Sequence, residues 1–158
     1  MENLIRLALF QPDMPPNTGA VMRLCACLGV ALDIIEPCGF AFDDRKLKRA
    51  VMDYADHVDY TRHLTWDAFY RQLKPRRLVL LTTRAAMPYY DFVFRPDDVL
   101  LVGRESAGVP DEVHRAADAA LVVPMRKPAR SLNVGMAAAI VLAEAIRQQG
   151  ISNGVSNI

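Results

Sequence analysis

The chain has 158 residues, of which 52% are hydrophobic and 23% charged; 19 Lys and Arg stand against 18 Asp and Glu, a formal net charge of +1. That is one domain of ordinary globular composition, which excludes a disordered polymer and a multidomain enzyme, and it carries no global basic field advertising nucleic acid. No apolar run reaches about 20 residues and no signal-peptide pattern opens the chain, so the expected compartment is the cytoplasm, with no membrane partner.

In chain order, Leu4–Phe10 reads as an apolar strand interrupted once, by Arg6. The prolines of Gln11–Pro16 make a stiff loop, because they remove donors and restrict their neighbours. Asn17 or Thr18 then caps a helix running to about Leu28 and stopped by Gly29, with Val21, Leu24, Cys25 and Leu28 at core spacing. Ala31–Ile35 is a second strand. Asp43-Asp44 opens a basic helix reaching about Val51, acidic at the end where the helix dipole favours it. Val58–Thr61 reads as a short strand, Thr65–Lys74 as a helix, and Arg77–Thr83 as a buried strand around LVLLTT. Met87–Pro96 is an aromatic connection without periodicity. Val99–Val102 and Ala119–Val123 are strands, with a short helix near Asp111–Ala117 between them, and Ser131 caps a final helix that reaches about Gln149 and ends at Gly150. Strands alternating with helices throughout make an α/β fold with a mostly parallel sheet.

Cys25, Cys27 and Cys38 lack metal-ligand spacing and read as buried reduced thiols. His57, His63 and His114 fall in polar segments and read as surface histidines. No phosphate loop, no GxGxxG after the first strand, no Ser/His/Asp set and no metal constellation is present, so no metal is expected. Basic residues gather in three groups: Arg45, Lys46, Lys48 and Arg49; Arg71, Lys74, Arg76 and Arg77; and Arg126, Lys127 and Arg130. Each alone reads as a solvated face, and together they keep an RNA or phosphate partner open.

The candidate site is where strands Val99–Val102 and Ala119–Val123 run into loops. The first is Gly103-Arg104-Glu105-Ser106-Ala107-Gly108-Val109-Pro110, and the second is Pro124-Met125-Arg126-Lys127-Pro128-Ala129-Arg130-Ser131. In open α/β sheets, ligands bind beyond the carboxyl ends of strands, so two such loops suggest one shared pocket. Its glycines, prolines, backbone groups, Ser131, Asn133, Glu105 and arginines suit an organic cofactor held through the main chain and an anionic partner held by guanidinium groups.

PPNTGAVMRLCACLG (15–29), LLVGRESAGVP (100–110) and VVPMRKPARSLNVGMAAAIVLAE (122–144) resemble the three motifs of the SPOUT RNA methyltransferases. IIEPCGFAFDDRKLKRA (34–50) is similar to an insert of their tRNA (cytidine/uridine-34) 2′-O-methyltransferase subfamily. Residues 1–150 read as one domain and 151–158 as a disordered tail; the resemblance implies helices on both faces of the sheet and a deep C-terminal trefoil knot. It implies S-adenosylmethionine as cofactor, bound through Leu81, Gly103, Val123, Met125, Ser131 and Leu132. It implies 2′-O-methylation of the wobble nucleotide of tRNA by a homodimer whose site is completed across the interface. Arg23 corresponds to the motif-one arginine. Because a guanidinium stays protonated, orienting the hydroxyl or clamping a phosphate is its expected role rather than proton abstraction. Asn17 holds that loop or caps the helix, and Arg130 is a second phosphate clamp. Glu105 is a partner of Arg104 or Arg23. Arg45, Lys46, Lys48, Arg49, Arg126 and Lys127 are expected to dock RNA. Two alternatives stay open: a 2′-O-methyltransferase acting on another RNA such as ribosomal RNA, and a non-catalytic knotted RNA-binding protein.

Overall fold

A computed structural model describes residues 5–150; the expected disordered tail lies outside the described residues. Seven strands alternate with helices. β1 (Arg6–Phe10), α1 (Pro15–Leu28) and β2 (Ala31–Ile35) come first, then α2 (Asp44–Val51), which continues into a 3-10 helix over Met52–His57. β3 (Tyr60–His63), α3 (Trp66–Leu73), β4 (Leu78–Leu81) and the two-residue β5 (Met87–Pro88) follow. The chain closes with β6 (Val99–Val102), α4 (Asp111–Ala116), β7 (Ala119–Val122) and α5 (Val134–Gln149). The strand order is β3-β2-β1-β6-β4-β7-β5, and every pairing is parallel.

The pleat sorts the core into two layers, since successive strand residues face opposite ways. Leu7, Leu9, Leu32, Ile34, Leu100 and Val102 meet α1, α2 and α5 on one face. Ala8, Phe10, Ile35, Leu78, Leu80 and Leu101 meet Phe69 and Leu73 of α3 and Val113 of α4 on the other. Helices therefore cover both faces, as parallel sheets require. β6 enters between β1 and β4, in register with both (Arg6 and Leu78 each opposite Val99). The carboxyl ends of β4, β6 and β7 thus lie side by side. None of the helices among the described residues is long and apolar enough to cross a membrane.

Several local expectations need correction. α1 starts at Pro15 with Met14 at the cap, not at Asn17 or Thr18. The two prolines belong to the helix because first-turn residues have no intrahelical use for an N–H. Its stop at Gly29 is as expected, left-handed at φ 65°. Strand β3 lies later than Val58–Thr61. The final helix is capped by Asn133, whose side chain accepts from the Met136 N–H at 3.2 Å, rather than by Ser131. Cys25 is buried and Cys38 half-buried, but Cys27 is exposed; all three are free.

His63 is not a surface histidine. It is 6% exposed, its Nε2 lies 2.8 Å from Asp33 Oδ1, and Arg6 donates to both Asp33 oxygens at 2.8 and 3.0 Å. The lone Arg of the first strand is there to compensate a buried carboxylate on the next, as buried charges demand.

Candidate functional site

The loops after β4, β6 and β7, together with the starts of α1 and α5, enclose a cavity of about 520 Å³, within the range of small-molecule sites. Leu81, Gly103, Val123, Met125, Ser131 and Leu132 all line it, and so does Asn17. Six residues proposed for a cofactor, spread over more than fifty positions of sequence, thus converge on one space. Its wall is aliphatic where the strands end, at Leu80, Leu81, Val102 and Leu121, and carries Ser106, Ser131 and Asn133 where the loops turn. That combination fits a flat heteroaromatic ring with a polar tail. Thr82 and Thr83 also line it, directly after β4; no periodic signal in the sequence singled them out.

Gly103 and Gly108 shape the β6 loop. Arg104 and Gly108 exchange two backbone hydrogen bonds, N to O at 3.1 and 2.8 Å, which close a tight antiparallel turn. A Cβ on Gly103 would sit 2.6 Å from the carbonyl carbon and 2.7 Å from the Cα of Gly108. Glycine is required there so that the loop can fold back on itself. Gly108 makes the return at φ 63°, a conformation L side chains rarely adopt.

Glu105 pairs with neither Arg104 nor Arg23. Its Oε2 accepts from the backbone N–H of Asp13 at 3.1 Å, and Ser106 Oγ donates to the Asp13 carboxylate. Arg104 instead donates to the side-chain oxygen of Gln11. The β1–α1 loop is thereby fastened to the β6 loop that walls the cavity. Burial pushes the Glu105 carboxyl above its usual range and the nearby Asp13 carboxyl raises it further, against a smaller lowering by the Asp13 backbone N–H. Asp13 is held below its own range by the bonds from Glu105 and Ser106. The two carboxyl groups are thus shifted in opposite directions, Glu105 up and Asp13 down.

Asn17 is a tether rather than a cap. Its Oδ1 accepts from Asn133 Nδ2 at 2.9 Å, joining the first turn of α1 to the cap of α5 across 116 positions. Arg23, less than two turns further along α1, is exposed and stacks its guanidinium 5.0 Å over the ring of Tyr54. It stands outside the cavity wall, as do Arg126, Lys127 and Arg130, which are exposed on the β7–α5 loop. Arg45, Lys46, Lys48 and Arg49 are exposed on α2. The middle basic group is structural in large part: Arg77 pairs with the fully buried Asp98 at 2.6 Å, and Lys74 lies 3.8 Å from Asp118. Among the described residues, no group of three or more His, Cys, Asp or Glu is placed to hold a metal ion.

Comparison with known proteins places the chain in a family. A tRNA (cytidine(34)-2′-O)-methyltransferase of Beijerinckia indica subsp. indica is 60% identical over 146 residues, 91% of each chain. A solved structure described as "Structural insights into the 2-OH methylation of C/U34 on tRNA" superposes with a TM-score of 0.89 at 39% identity, covering 95% of this chain and 99% of that one. An AdoMet-bound rRNA methyltransferase from Sinorhizobium meliloti superposes with a TM-score of 0.83 at 26% identity, over 93% of this chain and 57% of the other. The profile of the SpoU rRNA Methylase family matches residues 4–143. On a match across nearly the whole chain, this protein belongs to the SpoU rRNA methylase family.

Proposed function

We propose that the chain transfers a methyl group from S-adenosylmethionine to the ribose 2′-hydroxyl of the wobble nucleotide, cytidine or uridine 34, of tRNA. The observation that carries this is the convergence of Leu81, Gly103, Val123, Met125, Ser131 and Leu132 on one cavity. The 60% identity to a methyltransferase named for that nucleotide supports the choice of substrate over ribosomal RNA. Those six residues would hold the cofactor, which when bound supplies an electrophilic methyl on a sulfonium.

The demand on the protein is then chiefly alignment, since an in-line displacement gains most from fixed geometry. Asn17 and Asn133 lock the starts of α1 and α5 together on the cavity wall. This fixes the helix that carries Arg23. A permanently protonated guanidinium cannot take the hydroxyl proton, but it can orient the hydroxyl or grip the neighbouring phosphate as a planar fork. Arg130 would be a second grip. The exposed row of Arg45, Lys46, Lys48 and Arg49 supplies docking charge, with Arg126 and Lys127 beside the cavity's own loop.

A homodimer completes this reading. Met14 and Leu132, at the cavity, are 50% and 39% exposed, and Met136 and Ile140, one turn apart on α5, are 64% and 38% exposed. Such an apolar face beside the cavity favours a second copy that would finish the site. The trefoil threading of the C-terminal part belongs with it, supported by the late entry of β6 between β1 and β4. The test is nucleotide-resolved mapping of ribose methylation in tRNA from cells with and without the gene, paired with light scattering of the purified protein. A missing 2′-O-methyl at nucleotide 34 in the deletion is expected. Unchanged wobble nucleotides with a lost methyl in ribosomal RNA would move the substrate, and a monomer would remove the shared site.

A further inference from the structure

We propose that Tyr54 is a positioning residue for methyl transfer, its ring holding the Arg23 guanidinium in the orientation in which it meets the RNA. The inference rests on the reading of Arg23 given above. An exposed arginine on a helix ordinarily samples many rotamers, and a diffuse guanidinium is a poor clamp. Arg23 is not free in this way: its Cζ lies 5.0 Å from the centroid of the Tyr54 ring, within the range of cation–π attraction.

The placement of that ring follows from the chain. Tyr54 sits in the 3-10 helix Met52–His57, which continues α2 without a break and packs against α1. α2 carries Arg45, Lys46, Lys48 and Arg49, the proposed docking row. A single continuous helical run therefore joins the surface that would receive RNA to the ring beside Arg23. Tyr54 is 37% exposed in the free protein. RNA lying on α2 would exclude water from the stack and strengthen it, since such pairs gain as they are desolvated. Arg23 would then be most firmly set when substrate is docked, the condition under which orientation matters. Glu105, expected from sequence to partner either Arg104 or Arg23, is instead engaged by Asp13. No ion pair to Arg23 is found among the described residues, and the ring takes the orienting role.

Two measurements test this, one independent of turnover. In the free protein the Arg23 side-chain proton resonances should be displaced by the ring current of Tyr54, with the displacement lost in Tyr54→Leu and kept in Tyr54→Phe. At saturating tRNA and cofactor, Tyr54→Leu should lower kcat about two- to thirtyfold, the span from an exposed to a desolvated cation–π pair. Its KM for tRNA and its affinity for S-adenosylhomocysteine should stay native, and Tyr54→Phe should turn over as wild type. An undisplaced Arg23 resonance in the wild type overturns the proposal, as does native kcat in Tyr54→Leu. A raised KM for tRNA with native kcat also overturns it, by making the ring a surface for an RNA base. Equal losses in Phe and Leu would assign the effect to the hydroxyl and overturn it too. A ring-shifted Arg23 in a wild type that leaves nucleotide 34 unmethylated supports the contact and sinks the wobble-nucleotide reading instead.

Discussion

Replacing Gly103 by alanine is the most informative small change in the cavity wall. The added Cβ would meet Gly108 backbone atoms at 2.6, 2.7 and 3.0 Å, and backbone cannot swing aside as a side chain can. The turn must open, weakening the paired hydrogen bonds between Arg104 and Gly108 at 3.1 and 2.8 Å. Overpacking of this kind costs about 1–3 kcal/mol. For a chain of this size that lowers Tm by about 2–12 °C, at about 2–4 °C for each kcal/mol. If the loop instead opens only locally, the same energy is withdrawn from ligand binding, weakening S-adenosylhomocysteine by about 5- to 150-fold. Thermal melting and calorimetry together separate the two outcomes. Gly108→Ala is the companion variant, because its Cβ would meet nothing within 4 Å and only the φ of 63° is strained. It should cost about 1–2 kcal/mol without any steric clash. A Gly103→Ala protein with native Tm and native affinity would refute the account of why the loop needs glycine there.

Asp33→Ala should strand Arg6 and His63 and cost about 3 kcal/mol, the low end for breaking a buried pair because Arg6 is a quarter exposed; Tm should fall by about 6–12 °C with S-adenosylhomocysteine affinity unchanged, and a loss under about 1 kcal/mol would mean the triad is not coupled. Neutralising Arg45, Lys46, Lys48 and Arg49 should weaken tRNA binding and flatten its log–log salt dependence by roughly 0.7–0.9 for each phosphate contact removed; an unaltered slope would place the RNA elsewhere. The raised Glu105 carboxyl means the folded state holds a proton that the unfolded chain releases near pH about 4.3. That contribution is full below the ordinary glutamate range and is lost as pH rises through the raised value. Glu105→Gln should remove this decline from a Tm-against-pH profile, while the lowered Asp13 keeps a rise at more acid pH; identical profiles for the two proteins would show that the proton is not shared there.

Much of the fold was legible because the forces that write it are local. The apolar runs Leu4–Phe10, Ala31–Ile35 and Val99–Val102 mark buried strands, whose successive residues the structure sends to opposite layers. Thr65 caps α3 by accepting from the Ala68 N–H at 3.0 Å, and Gly29 and Gly150 end their helices in the left-handed region. Such signals are set within a turn or two of chain and need no partner. The loops that wall the cavity were legible for a different reason: glycine and proline clusters directly after apolar runs mark strand ends, where α/β sheets place ligands. What the tertiary structure alone decided is every pairing across the chain. The place of β6 between β1 and β4, the Arg6–Asp33–His63 triad, Asn17 reaching Asn133, Glu105 turning to Asp13 and Tyr54 lying under Arg23 all join residues far apart in sequence. Periodicity carries no information about such contacts, because the energy of a hydrogen bond or a stacked ring depends on where two backbones meet and not on either residue's neighbours. A histidine in a polar strand and an asparagine after two prolines therefore read as surface and cap by local rules, until the fold supplies the partner each one serves.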